Sequence, residues 1–344
     1  RDLDFTYAGL RQVVDKYLVQ DRSSGDLFET PQDMYMMISA TLFAEYPAKT
    51  RMSYVKKYYD AVSTFKINIP TPVMAGVRTP IRQFASCVLI DSDDTLSSIF
   101  SSDMAIGLYV ARRAGIGINA GRIRGINAKI RGGEVQHTGV IPFLKKFEST
   151  VRCCTQNGVR GGSATVHFPI WHQEIEDILV LKNNKGTEDN RVRKLDYSIQ
   201  ISKMFYERFM NDEDITLFSP HETPGLYDAF GTDSFDALYK KYEKDSSINK
   251  KTIPAQDLFS DLLKEREGQQ IMILAHNKSL LKYLYDAIEH RNMATVGYYV
   301  GGMKEKDLKM TETKRIVIAT YAMASEGLDI KTLTTLILAT PKTD

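Results

Sequence analysis

The sequence predicts an α/β protein in three parts, and three patterns carry that expectation. From residue 1 to about residue 65 apolar side chains recur at helical spacing. From Gln83 to about Glu267 short apolar runs alternate with helix-length segments, which argues for a parallel sheet covered by helices. From about residue 268 onward strand and helix patterns alternate again over a short span, as in a small parallel-sheet lobe. The chain has 344 residues, enough for two or three domains with ample core. A formal net charge of +2 implies no acidic polymer as partner by composition alone. The three cysteines, Cys87, Cys153 and Cys154, form no C-x-x-C and no zinc spacing, so a reduced, cytoplasmic setting is expected. No run approaches the roughly 18 apolar residues of a membrane span. The charged start Arg1-Asp2-Leu3-Asp4, without Met, reads as a cut opening and not as a signal peptide.

In chain order, Thr30-Pro31 places a capping residue before a first-turn proline. Met34, Met37, Ile38, Thr41 and Leu42 then follow one face of a helix to about Tyr46. A tyrosine-rich helix is expected from Lys49 to Phe65, and the Met and Tyr stripes read as core packing. Pro70 to Pro80 reads as a loop by its prolines and glycine. Phe84 to Ile90 is apolar and β-branched around Cys87, the pattern of a strand buried on both faces. Asp91, Asp93 and Asp94 follow, then a helix from Thr95 to Ala114 with Leu96, Ile99, Met104, Leu108 and Val110 at its spacing. A glycine-rich turn runs from Gly115 to Gly121, with Arg122, Arg124 and Arg131 beyond it.

Ala164 to Phe168 is an expected strand, with a helix beginning at Trp171. His172 and Glu176 stand at i, i+4, but no second histidine shares that face, so ordinary hydrogen bonding is expected there and no metal site. His137, His167 and His221 likewise lack ligand-spaced partners. Lys182 to Arg193 is a polar loop, Asp196 to Met210 is amphipathic, and Cys153 and Cys154 read as packing residues of a helix.

A cysteine on a strand, backbone amides freed by glycines and spaced arginines would suit a phosphorylated ligand. A structural cysteine beside a solvated basic loop explains the same residues. Gly115 to Ala120 fits a dinucleotide fingerprint of the G-x-G-x-x-A type. That reading is rejected, because a helix precedes the segment where a strand is required.

The chain resembles, from Arg1 to about Glu267, the large catalytic subunit of class I ribonucleoside-diphosphate reductases. The matching segments are PTPVMAGVRTP from Pro70, SCVLI from Ser86, RAGIGINAGRIR from Arg113 and IRGGE from Ile130. They continue with TQNGVRGGSAT from Thr155, LKNNKGTEDNRVRKLDY from Leu181 and DITLFSPHETPGLYDAF from Asp214. The resemblance implies a helical N-terminal domain over 1–80 and, over 81–267, the first part of a ten-stranded α/β barrel. It implies that Cys87 is one of two redox thiols that reduce the ribose, which is sensible because a thiol pair delivers two electrons by closing to a disulfide. It implies that Thr71, Ser86, Cys87 and Gly115 hold a ribonucleoside diphosphate. Asp94, Thr95, Leu96, Arg124 and Arg131 would hold a deoxynucleoside triphosphate effector with magnesium, with a loop between the two sites carrying the signal. The helix from Thr95 is implied to pack subunit against subunit in a homodimer. No covalently bound cofactor is expected, and the radical would come from a separate di-iron small subunit, an indirect partner.

The family's radical-bearing cysteine, second redox cysteine, tyrosine relay, C-terminal cysteine pair and N-terminal ATP-sensing domain have no match here. A complementing half of the large subunit is therefore the expected partner, and turnover by this chain alone is not expected. Residues 268–344 resemble part of the second RecA-like lobe of a superfamily 2 helicase, through IMILAHNKSLLKYL from Ile271 and IVIATYAMASEGLDI from Ile316. That resemblance implies a nucleic-acid contact at Thr320 and a place near nucleotide for Gly327 and Asp329. Its spacing from Thr320 to Gly327 is one residue longer than the DEAD-box pattern, and a plain turn after a strand explains Gly327 and Asp329 as well. No G-x-x-x-x-G-K-[ST] loop or magnesium-holding acidic motif occurs, and the chain ends at Asp344 before the expected arginine motif, so ATP hydrolysis is not expected. The alternatives to a partial reductase are thus a helicase-related protein contacting DNA through its tail, or an inert fusion of two gene fragments. No membrane partner is expected.

Overall fold

Thr30 and Pro31 act as their order predicts. The Thr30 hydroxyl accepts from the Asp33 N–H and the Asp33 carboxylate accepts from the Thr30 N–H, a capping box at the head of helix Pro31–Leu42. The computed structural model describes residues 1–344 except 82, 155–160, 184–186, 265–268, 277, 326–329, 331 and 339–344, together with the side chains of 263, 264, 325, 334, 335 and 338. These residues form two compact units. The first comprises Arg1–Leu89, Ala105–Ile116 and Thr150–Ser163, and the second Ile90–Met104, Gly117–Ser149 and Ala164–Asp344.

In the first unit, helices Tyr7–Lys16, Pro31–Leu42 and Ala48–Ser63 enclose a cluster of Val13, Leu18, Met34, Tyr35, Ile38, Val62, Ile69 and Val77. The buried face of Pro31–Leu42 is Met34, Tyr35, Ile38 and Ser39. Met37, Thr41 and Leu42, expected on that face, are exposed, because Met37 lies on its opposite side and Thr41 and Leu42 in the last turn. Thr71–Gly76 is a short helix where a loop was expected; Pro72 falls in its first turn, where no amide partner is lost.

The strands that follow are β1 (Cys87–Asp91), β2 (Gly115–Asn119), β3 (Lys129–Ile130), β4 (Val135–Gln136), β5 (Ala164–Pro169), β6 (Asp196–Gln200), β7 (Asp214–Phe218) and β8 (Lys250–Pro254). One sheet has the order β1-β2-β5-β6, with β5 and β6 parallel. The expected all-parallel pattern does not extend throughout, since β3 pairs antiparallel with β4 and β7 with β8.

Several sequence expectations are corrected here. β1 is an edge strand and is not buried on both faces: Cys87 is exposed, Leu89 is 83% exposed, and only Val88 and Ile90 are half-buried. An apolar run cannot reveal which strand will stand at an edge. The segment from Gly115 is the strand β2, not a turn; Ile116 and Ile118 alternate inward while the glycines face the other way. Asp196 to Met210 divides into β6 and the helix Lys203–Asn211, and the helix expected from Trp171 begins at Ile175. Cys153 ends helix Ile141–Cys153 with its thiol exposed, so it is not a packing residue. Helix Leu96–Ala111 buries Ile99, Ile106 and Val110 but leaves Leu96, Phe100, Met104 and Leu108, four residues apart, half or more exposed.

The last part of the second unit holds β9 (Gln270–Ala275), β10 (Val296–Tyr299), β11 (Ile316–Thr320) and β12 (Leu333–Leu338). All pair parallel in the order β10-β11-β9-β12, as the alternating pattern predicts. β9 and most of β11 are fully buried runs, as a two-faced parallel sheet requires. This lobe meets helix Lys203–Asn211, where the Arg291 guanidinium lies 4.8 Å over the Phe209 ring.

Candidate functional site

The residues expected to surround the substrate lie in the first unit. Cys87 opens β1 with an exposed thiol. Beside it, the carbonyl of exposed Ser86 accepts the Gly115 N–H at 2.8 Å, which fixes the start of β1 against the start of β2. Thr71 sits at the head of helix Thr71–Gly76 with its hydroxyl 3.2 Å from the Tyr17 hydroxyl. It lines a cavity of about 380 Å³ together with Tyr17, Asn68 and Met74. Ser86, Cys87 and Gly115 are thus brought together, whereas no hydrogen bond among the described residues links Thr71 to them.

The expected effector residues lie in the second unit. Asp94 and Arg124 meet directly. The Asp94 carboxylate accepts the Arg124 backbone N–H at 2.8 Å and its Nε–H at 2.7 Å, and Nη2 also lies 2.7 Å away. Such charge-assisted, two-pronged contact is the strong form of the interaction and fixes the guanidinium plane. Nη1 donates to the Lys129 carbonyl at 3.0 Å, tying Arg124 to the β3–β4 hairpin. Thr95 precedes helix Leu96–Ala111 and its hydroxyl accepts the Ser98 N–H, while Leu96 is exposed beside it. Arg131 is exposed at the turn between β3 and β4, in the left-handed region at φ 51°.

Sequence reasoning missed four features around Arg124 and the β3–β4 hairpin. His137 and His221, dismissed for want of spaced partners, both sense Asp94 and Arg124, and burial holds both below the ordinary histidine range. The Ser219 hydroxyl accepts the Gly125 N–H at 2.9 Å and is hydrogen-bonded to His221 Nδ1 at 2.8 Å. His172 is fully buried and donates from Nε2 to the Ile123 carbonyl at 2.9 Å; burial pushes its imidazole down to about 4. Glu174 is buried against backbone amides, and burial pushes its carboxyl up to about 7. Apart from the Ser219–His221 contact, whose partners are two residues apart, none of these had a local signal, because the partners are main chain or lie tens of residues away.

At the ends of β1, β2 and β6, Asp91, Asn119 and Gln200 join Arg122 and Tyr227. The Tyr227 hydroxyl lies 2.7 Å from Asn119 Oδ1 and 3.1 Å from Gln200 Oε1. Arg122 lies over the Tyr227 ring at 4.6 Å and donates to Asp228 at 2.6 Å. Gly121 is required beside them, since a Cβ there would stand 2.6 Å from Pro169.

In the tail, Thr320 ends β11 in register with Ala275 and is half-buried. Gly327 and Asp329 lie outside the described residues. Among the described residues no group of three or more His, Cys, Asp or Glu could hold a metal ion, and no helix is long and apolar enough to cross a membrane.

Comparison with known proteins gives these positions a context. Residues 3–82 match the family model of the ribonucleotide reductase all-alpha domain, and residues 85–274 that of the ribonucleotide reductase barrel domain, a match that ends within β9. The chain is 56% identical over 268 residues to the ribonucleoside-diphosphate reductase subunit alpha of Haemophilus influenzae, and 57% identical over 268 residues to that of Escherichia coli, called reductase 1. Each alignment covers 77% of this chain and 35% of the relative. The corresponding subunit of Enterobacteria phage T4 is 51% identical over 271 residues, covering 78% of this chain and 36% of the relative. The chain therefore spans about a third of the length of these relatives. With both domain models matched in order and more than half of its residues inside the barrel match, the chain belongs to the ribonucleotide reductase large-subunit family.

Proposed function

We propose that this chain is the part of a ribonucleoside-diphosphate reductase large subunit that carries one reducing thiol and the effector arm, and that it turns over only with a second polypeptide. The observation that carries the reading is Cys87, an exposed thiol at the head of β1, next to a Ser86 carbonyl pinned by Gly115. Exposure lets a thiol reach both a substrate sugar and a partner sulfur. In this reading Cys87 and a thiol of the second polypeptide close to a disulfide. The two electrons and two protons replace the ribose 2′-hydroxyl by hydrogen and release water. Thr71 and the Ser86–Gly115 turn would receive the diphosphate and sugar. Arg124, oriented by Asp94, and Arg131 would receive the triphosphate of a deoxynucleotide effector with its magnesium. The exposed stripe Leu96, Phe100, Met104 and Leu108 would form a homodimer contact. A separate small subunit would supply the radical.

The chain mixed with a polypeptide covering the remaining length of a relative, a small subunit, a dithiol reductant and dTTP should convert a ribonucleoside diphosphate to its deoxy form. The chain alone should give none. No product above background in the mixture, or product from the chain alone, contradicts the reading.

The four-stranded parallel sheet β10-β11-β9-β12, with Thr320 at the end of β11, supports a second reading in which the tail is a RecA-like lobe that touches DNA. The chain should then bind DNA with an affinity that falls steeply with salt. Thr320→Ala should weaken that binding, and unchanged binding would count against this reading.

A further inference from the structure

Three consecutive residues, His172, Gln173 and Glu174, address the backbone beside Arg124 and the two ends of the arm that carries Arg131. His172 Nε2 donates to the Ile123 carbonyl at 2.9 Å, and Gln173 Nε2 donates to the Ile126 carbonyl at 3.3 Å. The Glu174 carboxylate accepts the Ile126 N–H at 2.9 Å and the Val140 N–H at 3.1 Å. Ile126 and Val140 are the two ends of the arm. Between them the chain folds back on itself through Asn127 N–H to the His137 carbonyl and His137 N–H to the Ala128 carbonyl, both 2.9 Å, and through β3 and β4. Arg131 stands at the far turn.

Two glycines are shaped to this tripeptide. A Cβ at Gly139, whose φ is +87°, would fall 2.5 Å from Glu174 Oε1, and a Cβ at Gly125 would fall 2.5 Å from Gln173 Oε1. Glu174 is only 4% exposed, so its carboxylate touches no ligand and acts through the backbone it holds. Its amide donor Glu174 N–H in turn meets His172 Nδ1 at 3.1 Å, which leaves the proton on Nε2 for Ile123.

We infer that Glu174 is a positioning residue: it staples both ends of the Arg131 arm and thereby sets the affinity of the nucleoside-triphosphate effector without contacting it. The inference rests on the effector reading given above. The ionised carboxylate accepts both amides. Both short bonds end on Oε2, and Val140 N–H also reaches Oε1 at 3.3 Å; a proton on Oε1 removes that second contact and leaves Oε2 a neutral, weaker acceptor of both amides, so the hold on the arm loosens. Burial raises the carboxyl to about 7, opposed by the two amide bonds and reinforced by Asp177. The titratable groups beside it are Asp177, which reinforces the rise, and His172, whose Nδ1 accepts the Glu174 N–H and which burial holds down to about 4, so it stays neutral where Glu174 titrates; His137, whose Nδ1 accepts the Gly139 N–H on the arm, is also lowered by burial. The charged residues of the arm itself are Lys129, Arg131 and Glu134, and the Asp94–Arg124 pair adjoins its start.

Between pH 4.5 and about 7 the folded chain keeps a proton that the unfolded chain has released, so Glu174 makes stability fall as pH rises through that window and leaves it flat above. Effector affinity should run the opposite way and weaken as pH falls below about 7. The test measures magnesium–dTTP binding to the full chain from pH 6 to 8 for wild type, Arg124→Ala, Glu174→Gln and Glu174→Ala, with amide exchange of Ile126 and Val140 recorded without nucleotide. Wild type should lose about threefold or more in affinity from pH 8 to 6 beyond any change in Glu174→Gln. Glu174→Ala should bind more weakly than Glu174→Gln at every pH, and both amides should exchange faster in it than in wild type. Wild type failing to bind, or Arg124→Ala binding as well as wild type, overturns the effector reading and this inference with it. Wild-type binding with affinities and pH profiles identical across the Glu174 variants overturns the inference alone.

Discussion

Replacing Arg78 by Met should destabilise the first unit by about 3–5 kcal/mol, because it strands a buried carboxylate. Arg78 and Glu29 are 3% and 9% exposed, and the guanidinium donates from Nε to Glu29 at 2.7 Å. It also donates to the Tyr17 carbonyl at 3.0 Å, while Glu29 accepts the Val19 N–H at 2.7 Å. One ion pair thus ties the end of helix Tyr7–Lys16, the approach to the Thr30 cap and the residues after helix Thr71–Gly76. Removing only the cation leaves Glu29 without its charge partner in a place water does not reach. Urea unfolding followed by circular dichroism should show the midpoint falling with the slope unchanged. Joint replacement of Arg78 by Met and Glu29 by Leu should recover most of the loss, since the desolvated charge is then gone. A single-variant loss under about 1 kcal/mol would mean that the pair is open to solvent.

Replacing Cys87 by Ser should remove deoxynucleotide formation by the complemented enzyme, by about 10³-fold or more, because serine can fill the space but cannot close a disulfide. Dissociation constants for substrate and effector should stay near those of wild type, since Ser86, Gly115, Asp94 and Arg124 keep their bonds. Retained turnover would remove Cys87 from the chemistry. Loss of binding together with turnover would instead make it a packing residue.

What the sequence showed and what it hid follow from the range of the forces involved. The Thr30 cap, the helix Ala48–Ser63 and the alternation of strand and helix around β9 and β11 were legible because neighbours within four residues decide them. β2 was mistaken for a turn because its glycines outweighed the two alternating isoleucines. The edge position of β1, and with it the exposure of Cys87, depends on which strand lies alongside, a fact no local pattern holds. The same is true of the β7–β8 pairing across a helical excursion.

At the site, Cys87 and Arg124 stood out locally as a strand cysteine and a spaced arginine that would suit a phosphorylated ligand, and only the resemblance gave them, together with Asp94, separate roles. Nothing in their local pattern says that residues 94 and 124 share one carboxylate–guanidinium contact. Glu174 was invisible even so, because its partners are the amides of Ile126 and Val140, and a backbone amide has no sequence signature. His172 was read correctly as an ordinary hydrogen-bonding histidine, but the helix expected around it gave way to a buried turn that aims its imidazole at Ile123.

The most direct measurement is thiol mapping of the complemented enzyme after one turnover with no external reductant. Free thiols would be alkylated and the peptides read by mass spectrometry. The peptide holding Cys87 should appear disulfide-linked to a peptide of the second polypeptide, in proportion to the deoxynucleotide formed. Product made while Cys87 remains fully open to alkylation would contradict the assignment of this thiol as the electron donor.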